Sequence, residues 1–153
     1  MKATDVLRRD HAGVSALIEE LIGTADDQRR RELVATIAIA LEIHAQIEEE
    51  LFYPCFAALS GLIPEARRQH AQMRSLVANI ECLDPTSPDF ILEVGQLRDT
   101  LQLHVAEEEE TLFREAEQLG VDELETLGRH LETRKQALMA AATPEELRAR
   151  KIA

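Results

Sequence analysis

HAQIEEELFYP, residues 44–54, sets a histidine one helical turn ahead of a run of three glutamates and then returns to large apolar side chains. About sixty residues on, the chain repeats the device as HVAEEEETLF, residues 104–113. In an α-helix, positions i and i+4 lie one above the other on the same face. His44 with Glu48, and His104 with Glu108, therefore each point an imidazole and a carboxylate the same way. The apolar neighbours say which way that is. Through the first pair a seam runs Ile37, Leu41, His44, Glu48, Leu51, Cys55; through the second it runs Val94, Leu97, Leu101, His104, Glu108, Leu112. Steps of three and four residues are the signature of one buried helical face. Both pairs are expected on the dry side.

Two further seams carry a lone histidine each: Leu7, His11, Val14, Ile18, Leu21, and His70, Met73, Val77, Ile80. HAGVSALI (11–18) resembles HAQMRSLV (70–77), so the chain holds a faint internal repeat with an offset near sixty. Break signals fall at GTADD (23–27), SGLIP (60–64), DPTSP (84–88) and Gly120. They predict helices over about 4–22, 27–59, 64–83, 87–119 and 122–142, and TPEEL (143–147) reads as one more helix start. Two similar hairpins facing each other make an all-α, antiparallel up-down four-helix bundle with a pseudo-twofold axis. The expected organisation is a single domain over 1–153, with the bundle over about 5–119 and an additional C-terminal helix in an extension over about 121–153.

Composition agrees with helices. The 153 residues are 45% hydrophobic but only 3% aromatic, with no Trp and six Gly. A chain of this length buries roughly two thirds of the surface its unfolded form exposes, enough for a real core. The net charge of −12 repels phosphate backbones and anionic lipid, so neither nucleic acid nor membrane is an expected partner. MKATDVLRRDHAG has no apolar targeting segment and no stretch is long and apolar enough to span a bilayer, so the expected location is cytoplasmic. Cys55 and Cys82 form no C-x-x-C pattern. On consecutive antiparallel helices they differ in height by roughly 18 Å, beyond disulfide reach.

Counted from the turns, His11, His44, Glu48, His70, His104 and Glu108 can converge near one level of the bundle. Six inward polar groups at one level must be satisfied, because an unpaired buried carboxylate costs several kcal/mol or takes up a proton. No Lys or Arg sits on these seams. Metal ions supply the missing charge, and imidazole with carboxylate suits iron, manganese or zinc. A single histidine on an apolar face usually bonds a carbonyl, but four landing on four seams by accident is on the order of one chance in a hundred. Glu49, Glu50, Glu107, Glu109 and Glu110 read as a solvated face, with Glu109 as a second candidate for the carboxylate that helix 87–119 contributes. His130 reads as structural or surface. Tyr53 is expected to pack near the end of its helix, although a phenol two turns from His44 could approach the site.

The set His11, His44-x-x-x-Glu48, His70, His104-x-x-x-Glu108 resembles the hemerythrin-like family, the HHE cation-binding domains. The resemblance covers the first four helices. It implies a four-helix bundle holding a non-haem centre of two iron ions, with His11 and His44 on one ion, His70 and His104 on the other, and Glu48 and Glu108 as bridges. The oxygen-carrying members have a second histidine one turn after the first on the third helix, where this chain has Arg74. With one ligand fewer, a position is left for a small diatomic ligand or peroxide. The expected function is a di-iron protein that binds or senses dioxygen or nitric oxide, or holds iron for delivery. The alternatives are a di-iron enzyme acting on peroxide or nitric oxide, and a metal-free helical interaction module.

Overall fold

Two of the breaks become helix starts for a local reason. Asp26 Oδ1 accepts the Gln28 N–H at 3.1 Å, and Ser87 Oγ accepts the Asp89 N–H at 3.2 Å. Each satisfies a backbone donor that the first turn leaves without a partner. Pro88 opens the helix that Ser87 caps, and Pro64 falls in the first turn of the helix that begins at Ile63; at both places a missing N–H costs nothing.

The computed structural model describes residues 1–142; the helix start expected at 143–147 lies outside them. Four long helices form the bundle: α1 Ala3–Gly23, α2 Asp27–Ile47, α3 Ile63–Glu81 and α4 Pro88–Glu107. α2 runs on through a π turn, Glu48–Phe52, and a 3-10 turn, Tyr53–Cys55. α4 runs on through a π turn, Glu108–Leu112, the short α5, Phe113–Ala116, and a 3-10 turn, Glu117–Leu119. Gly120, at φ 90°, turns the chain into α6, Val121–Ala141. No strand occurs among the described residues.

Each bundle helix packs on its two neighbours, and α6 lies outside, against α1 and α2. Arg30 pins two connections at the same end, its Nε donating to Thr24 O at 2.9 Å and its Nη1 to Pro85 O at 2.6 Å. α6 crosses the chain's first residues so closely that a Cβ on Gly128 would lie 2.3 Å from the Met1 carbonyl oxygen. Only glycine permits that approach. No helix among the described residues is long and apolar enough to cross a membrane.

The apolar interior forms two clusters. One, around Ile18, Leu33, Ile37, Val77, Phe90 and Leu97, fills the end near Arg30. The other, around Phe52, Tyr53, Phe56, Phe113, Leu124 and Leu131, joins α6 to the opposite end. Between them lies a buried polar layer.

The helical run that begins with α2 ends at Cys55, four residues before the expected 59. Pro54 has no N–H to give to the preceding turn, so the run narrows there to a single 3-10 turn and stops. Its seam also departs from expectation. Leu51 is half-buried and Cys55 exposed, while Phe52, Tyr53 and Phe56 are buried instead. The π turn causes this by adding a residue to the turn. Cys55 and Cys82 are both exposed free thiols. His130 is exposed, as expected, beside buried Leu127 and Leu131.

Candidate metal centre

Both glutamate runs open a π turn at the inward-facing residue. The Tyr53 N–H donates to Glu48 O, and the Phe113 N–H donates to Glu108 O, each spanning five residues instead of four. A wider turn of this kind brings residue i+5 back above residue i. Tyr53 thus stands over Glu48 and Phe113 over Glu108. The pair also shows the internal repeat in three dimensions: Tyr53 stacks on His70, with centroids 5.8 Å apart, and Phe113 stacks on His11 at 5.9 Å.

The structure brings all six seam residues into one buried layer, none more than 4% exposed. His11, His44, Glu48, His104 and Glu108 each offer a ligand atom within 4.8 Å of all the others. His70 joins through Glu48, its Nε2 lying 2.8 Å from Glu48 Oε2. The carboxylate oxygens are sorted between the two halves. Glu48 Oε1 lies 3.1 Å from His44 Nε2, and Glu108 Oε1 lies 3.1 Å from His11 Nε2. The two Oε2 atoms face the other way, toward His70, toward His104 at 3.8 and 3.5 Å, and toward Tyr53. The Tyr53 hydroxyl lies 2.9 Å from Glu48 Oε2, 2.6 Å from Glu108 Oε2 and 3.4 Å from His70 Nε2.

Tyr53 is therefore part of the site, not merely packed near the helix end. In a regular helix position i+5 points well away from position i; the π turn returns it. A signal for this was available in the repeat, since an aromatic residue follows each inward glutamate by five.

Outer partners back each imidazole. Asp10 Oδ2 lies 3.4 Å from His44 Nδ1, and Gln69 Oε1 lies 2.8 Å from His104 Nδ1. Glu49 and Glu109 stand 3.6 and 3.8 Å from the Nδ1 atoms of His70 and His11. Each is held in turn: Asp10 by Lys135 of α6, Glu109 by Arg8, Glu49 by Arg74, and Gln69 by Glu107. The nearby His70 imidazole and the Arg74 guanidinium outweigh burial and bring the Glu49 carboxyl down to about 2. Glu49, Glu107 and Glu109 are thus tied to the site, against the reading as a solvated face, because neighbouring helices carry their partners. Glu109 takes the outer side of His11, leaving Glu108 as the inward carboxylate of its helix. Arg74 points outward to Glu42 and Glu49.

Hydrogen bonds inside the protein do not satisfy this layer. His11 Nε2, His44 Nε2, His104 Nε2, Glu48 Oε1 and Glu108 Oε1 are buried without a hydrogen-bond partner. Native proteins rarely leave such atoms unpaired. Their separations match donors on a common ion, since two atoms about 2.1 Å from one metal at a right angle lie about 3 Å apart. Without a metal, protons must balance the charge. Burial opposes charge on His44 and His70, but the carboxylates outweigh it, Glu48 foremost, and raise them to about 10 and about 9. Burial and the other imidazoles push His104 down to about 3. Burial and the charge of Glu48 push the Glu108 carboxyl up, while Glu48 is held well below its usual range despite its burial, chiefly by His44.

Comparison with known proteins gives the chain its family. The family model for the hemerythrin HHE cation-binding domain matches residues 2–116. The chain belongs to the hemerythrin HHE cation-binding family. A solved HHE domain-containing protein of Mycobacterium kansasii, a homolog of Rv2633c, is 25% identical and superposes with a TM-score of 0.82 over 93% of this chain and 90% of that one. The uncharacterized protein Rv2633c of Mycobacterium tuberculosis is 28% identical over 142 residues, 90% of this chain and 88% of that protein. A DNA nickase of Nostoc is 36% identical over 115 residues, which is 74% of this chain but only 33% of the nickase. The family membership and the buried His and Glu cluster make this layer an HHE site able to hold a metal ion.

Proposed function

We propose that this HHE chain is a non-haem di-iron protein that binds or senses a small ligand such as dioxygen or nitric oxide, or holds iron for delivery. The observation that carries the reading is the sorting of carboxylate oxygens. His11, His44 and the two Oε1 atoms form one group of four donors, and His70, His104, Tyr53 and the two Oε2 atoms form a group of five. Glu48 and Glu108 thus reach two positions at once, as bridges do. The mixture of imidazole and carboxylate suits iron, with manganese and zinc accepting the same donors. When bound, the metal pair supplies electron exchange and an open coordination position for a small molecule. His11, His44 and the two Oε1 atoms would hold one ion, and His70, His104 and the two Oε2 atoms the other. Reconstitution with ferrous iron without air, followed by air, is expected to give two irons per chain and a new ligand-to-metal absorption band. Iron content well below two sinks the proposal.

The chain's own residues set the conditions around that position. Phe113 covers His11 and the apolar cluster beyond it keeps bulk water away. Asp10 and Gln69 bond the Nδ1 atoms of His44 and His104 and so fix those two rings, as outer partners do at metal sites. Asp10→Ala is expected to weaken metal retention about 10–100-fold, read by competition with a chelator.

Tyr53 favours a second reading, a di-iron enzyme acting on peroxide or nitric oxide, because its hydroxyl is the proton-bearing group that such turnover requires. Burial and the charges of Glu48 and Glu108 raise this phenol far above its usual range when no metal is present, so it keeps its proton there. Tyr53→Phe is expected to retain two irons. If the loaded native protein accelerates peroxide or nitric oxide consumption over free iron, and Tyr53→Phe does not, the enzyme reading prevails. The nickase's activity belongs to a protein three times the matched length, and with a net charge of −12 the reading proposed here includes neither nucleic acid nor membrane as a partner. The compartment it fits is the cytoplasm.

A further inference from the structure

Of the outer partners behind the imidazoles, three are held from within the four-helix bundle: Glu109 by Arg8 of α1, Glu49 by Arg74 of α3 and Gln69 by Glu107 of α4. Asp10 is the exception, because its cation comes from α6. That helix is attached unevenly. Its buried residues are Leu124, Leu127, Gly128 and Leu131, and none lies beyond Leu131. Past that point it stands away from the bundle, leaving cavities of about 460 Å³ between α1, α2 and α6 and about 230 Å³ between α2 and the end of α6. Polar ties bridge this stretch: Lys135 donates to Asp10, Arg134 donates to Glu50, and Arg9 of α1 donates to Glu132. The first of them leads to the metal layer.

Asp10 divides its oxygens between two contacts. Oδ1 accepts from Lys135, and Oδ2 lies 3.4 Å from His44 Nδ1. The other nitrogen of that ring, Nε2, faces Glu48 Oε1 at 3.1 Å, inside the layer. A histidine that offers one nitrogen to a metal donates its other N–H to such an outer carboxylate, which fixes the ring. Asp10 also borders the larger cavity, together with His44 and Lys135, so its carboxylate has space in which to turn away from His44. The ammonium of Lys135 prevents that turn. We propose that Lys135 is a positioning residue of the metal centre: it holds Asp10 against His44 and so makes α6 a brace for the His11 and His44 side of the layer. The inference rests on the reading of that layer as a metal site, and on no particular metal. Coupling between two sites is reciprocal, so an ion held by His44 in turn steadies α6.

Zinc serves as the probe, because it accepts imidazole with carboxylate and has no redox chemistry to complicate its release. The full chain is loaded with zinc, and the metal is withdrawn by a competing chelator. Lys135→Met keeps the length of the side chain and removes the ammonium; it is expected to bind zinc about 10–100-fold more weakly than the native chain. Lys135→Arg still presents a cation to Asp10 and is expected to restore most of that affinity. Arg134→Met removes a tie of the same kind on the same turn of α6, one that ends on exposed Glu50, and should bind zinc as the native chain does. In an Asp10→Ala background, Lys135→Met should change the affinity no further, because the lysine acts only through that carboxylate. The reciprocal effect is read in the native chain, where hydrogen exchange of the α6 amides from Glu132 to Met139 should slow when zinc is bound. The proposal is overturned by equal zinc affinity of Lys135→Met and the native chain, by a Lys135→Arg chain as weak as Lys135→Met, or by an equal loss in Arg134→Met. Additive losses in the double variant, or α6 exchange that zinc leaves unchanged, overturn it too. All of these leave the metal reading standing, whereas a native chain that takes up no zinc, iron or manganese sinks that reading and this inference with it.

Discussion

Glu48→Gln is expected to empty the metal site, with metal content falling below one ion per chain and affinity dropping by more than the roughly 10–100-fold that loss of an outer partner costs. The size of the effect follows from geometry. Glu48 presents Oε1 to His44 and Oε2 to His70, so one substitution weakens both groups of donors. Glutamine keeps the volume and removes the charge, which separates loss of coordination from loss of packing. Glu50→Gln is the control. That residue stands two positions on, is exposed, and bonds Arg134 and Gln46; its metal content should equal that of the native chain. Elemental analysis of the three proteins from iron-replete cells decides the matter. Equal metal in all three would falsify the assignment of this layer.

Removal of the metal by chelation is expected to lower the melting temperature by roughly 8–16 °C. The estimate takes about 4 kcal/mol for a ligand at a thousand times its dissociation constant and about 2–4 °C per kcal/mol for a chain of this size. The metal-free protein should also acquire a pH dependence that the loaded one lacks. His44 and His70 are raised to about 10 and about 9 in the folded, metal-free state. A raised histidine contributes stability that is fully present below its unfolded value near 6.5 and is lost as pH climbs through the folded value. Stability without metal should therefore fall between about pH 6.5 and pH 10. With metal bound the imidazoles are already deprotonated, loading releases protons, and the slope over that window should flatten. Thermal melts at several pH values, with and without metal, measure both effects. A metal-free protein whose melting is flat across that window sinks the proton-balance account.

The four-helix plan was legible because apolar spacing, Asp26, Ser87 and two prolines mark helices and their starts without reference to anything distant. The six polar seam residues were legible for the same reason, each occupying a place where Leu or Val would otherwise stand. Tyr53 was legible only in part, as a phenol two turns from His44, because reading every turn at 3.6 residues puts position i+5 on the wrong face. The π turn changes that count, and its hydrogen bond from Tyr53 N–H to Glu48 O leaves no mark in composition. Asp10, Gln69, Glu49 and Glu109 were not legible either. Their partners come from other helices, and a charge beside a seam looks solvated until the neighbouring helix is in place.

The repeat also explains why the two halves differ. Tyr53 and Phe113 hold equivalent places over Glu48 and Glu108, and only one of them bears a hydroxyl. A single oxygen atom thus makes the two halves of a nearly symmetric layer unequal.

The two wide turns have a further consequence for how this chain can vary. Glu50 and Glu110 face solvent, and by side chain alone many residues could replace them. They also absorb a change in length: with Glu50 or Glu110 deleted the turn would close as an ordinary α-helix, and Tyr53 or Phe113 would become the fourth residue after its glutamate, a position that already lies above it. The aromatic ring would stay over its imidazole and the apolar end of the bundle would keep its register. A deletion elsewhere in the same helix has no wide turn to absorb it and would swing every group beyond it by about 100°.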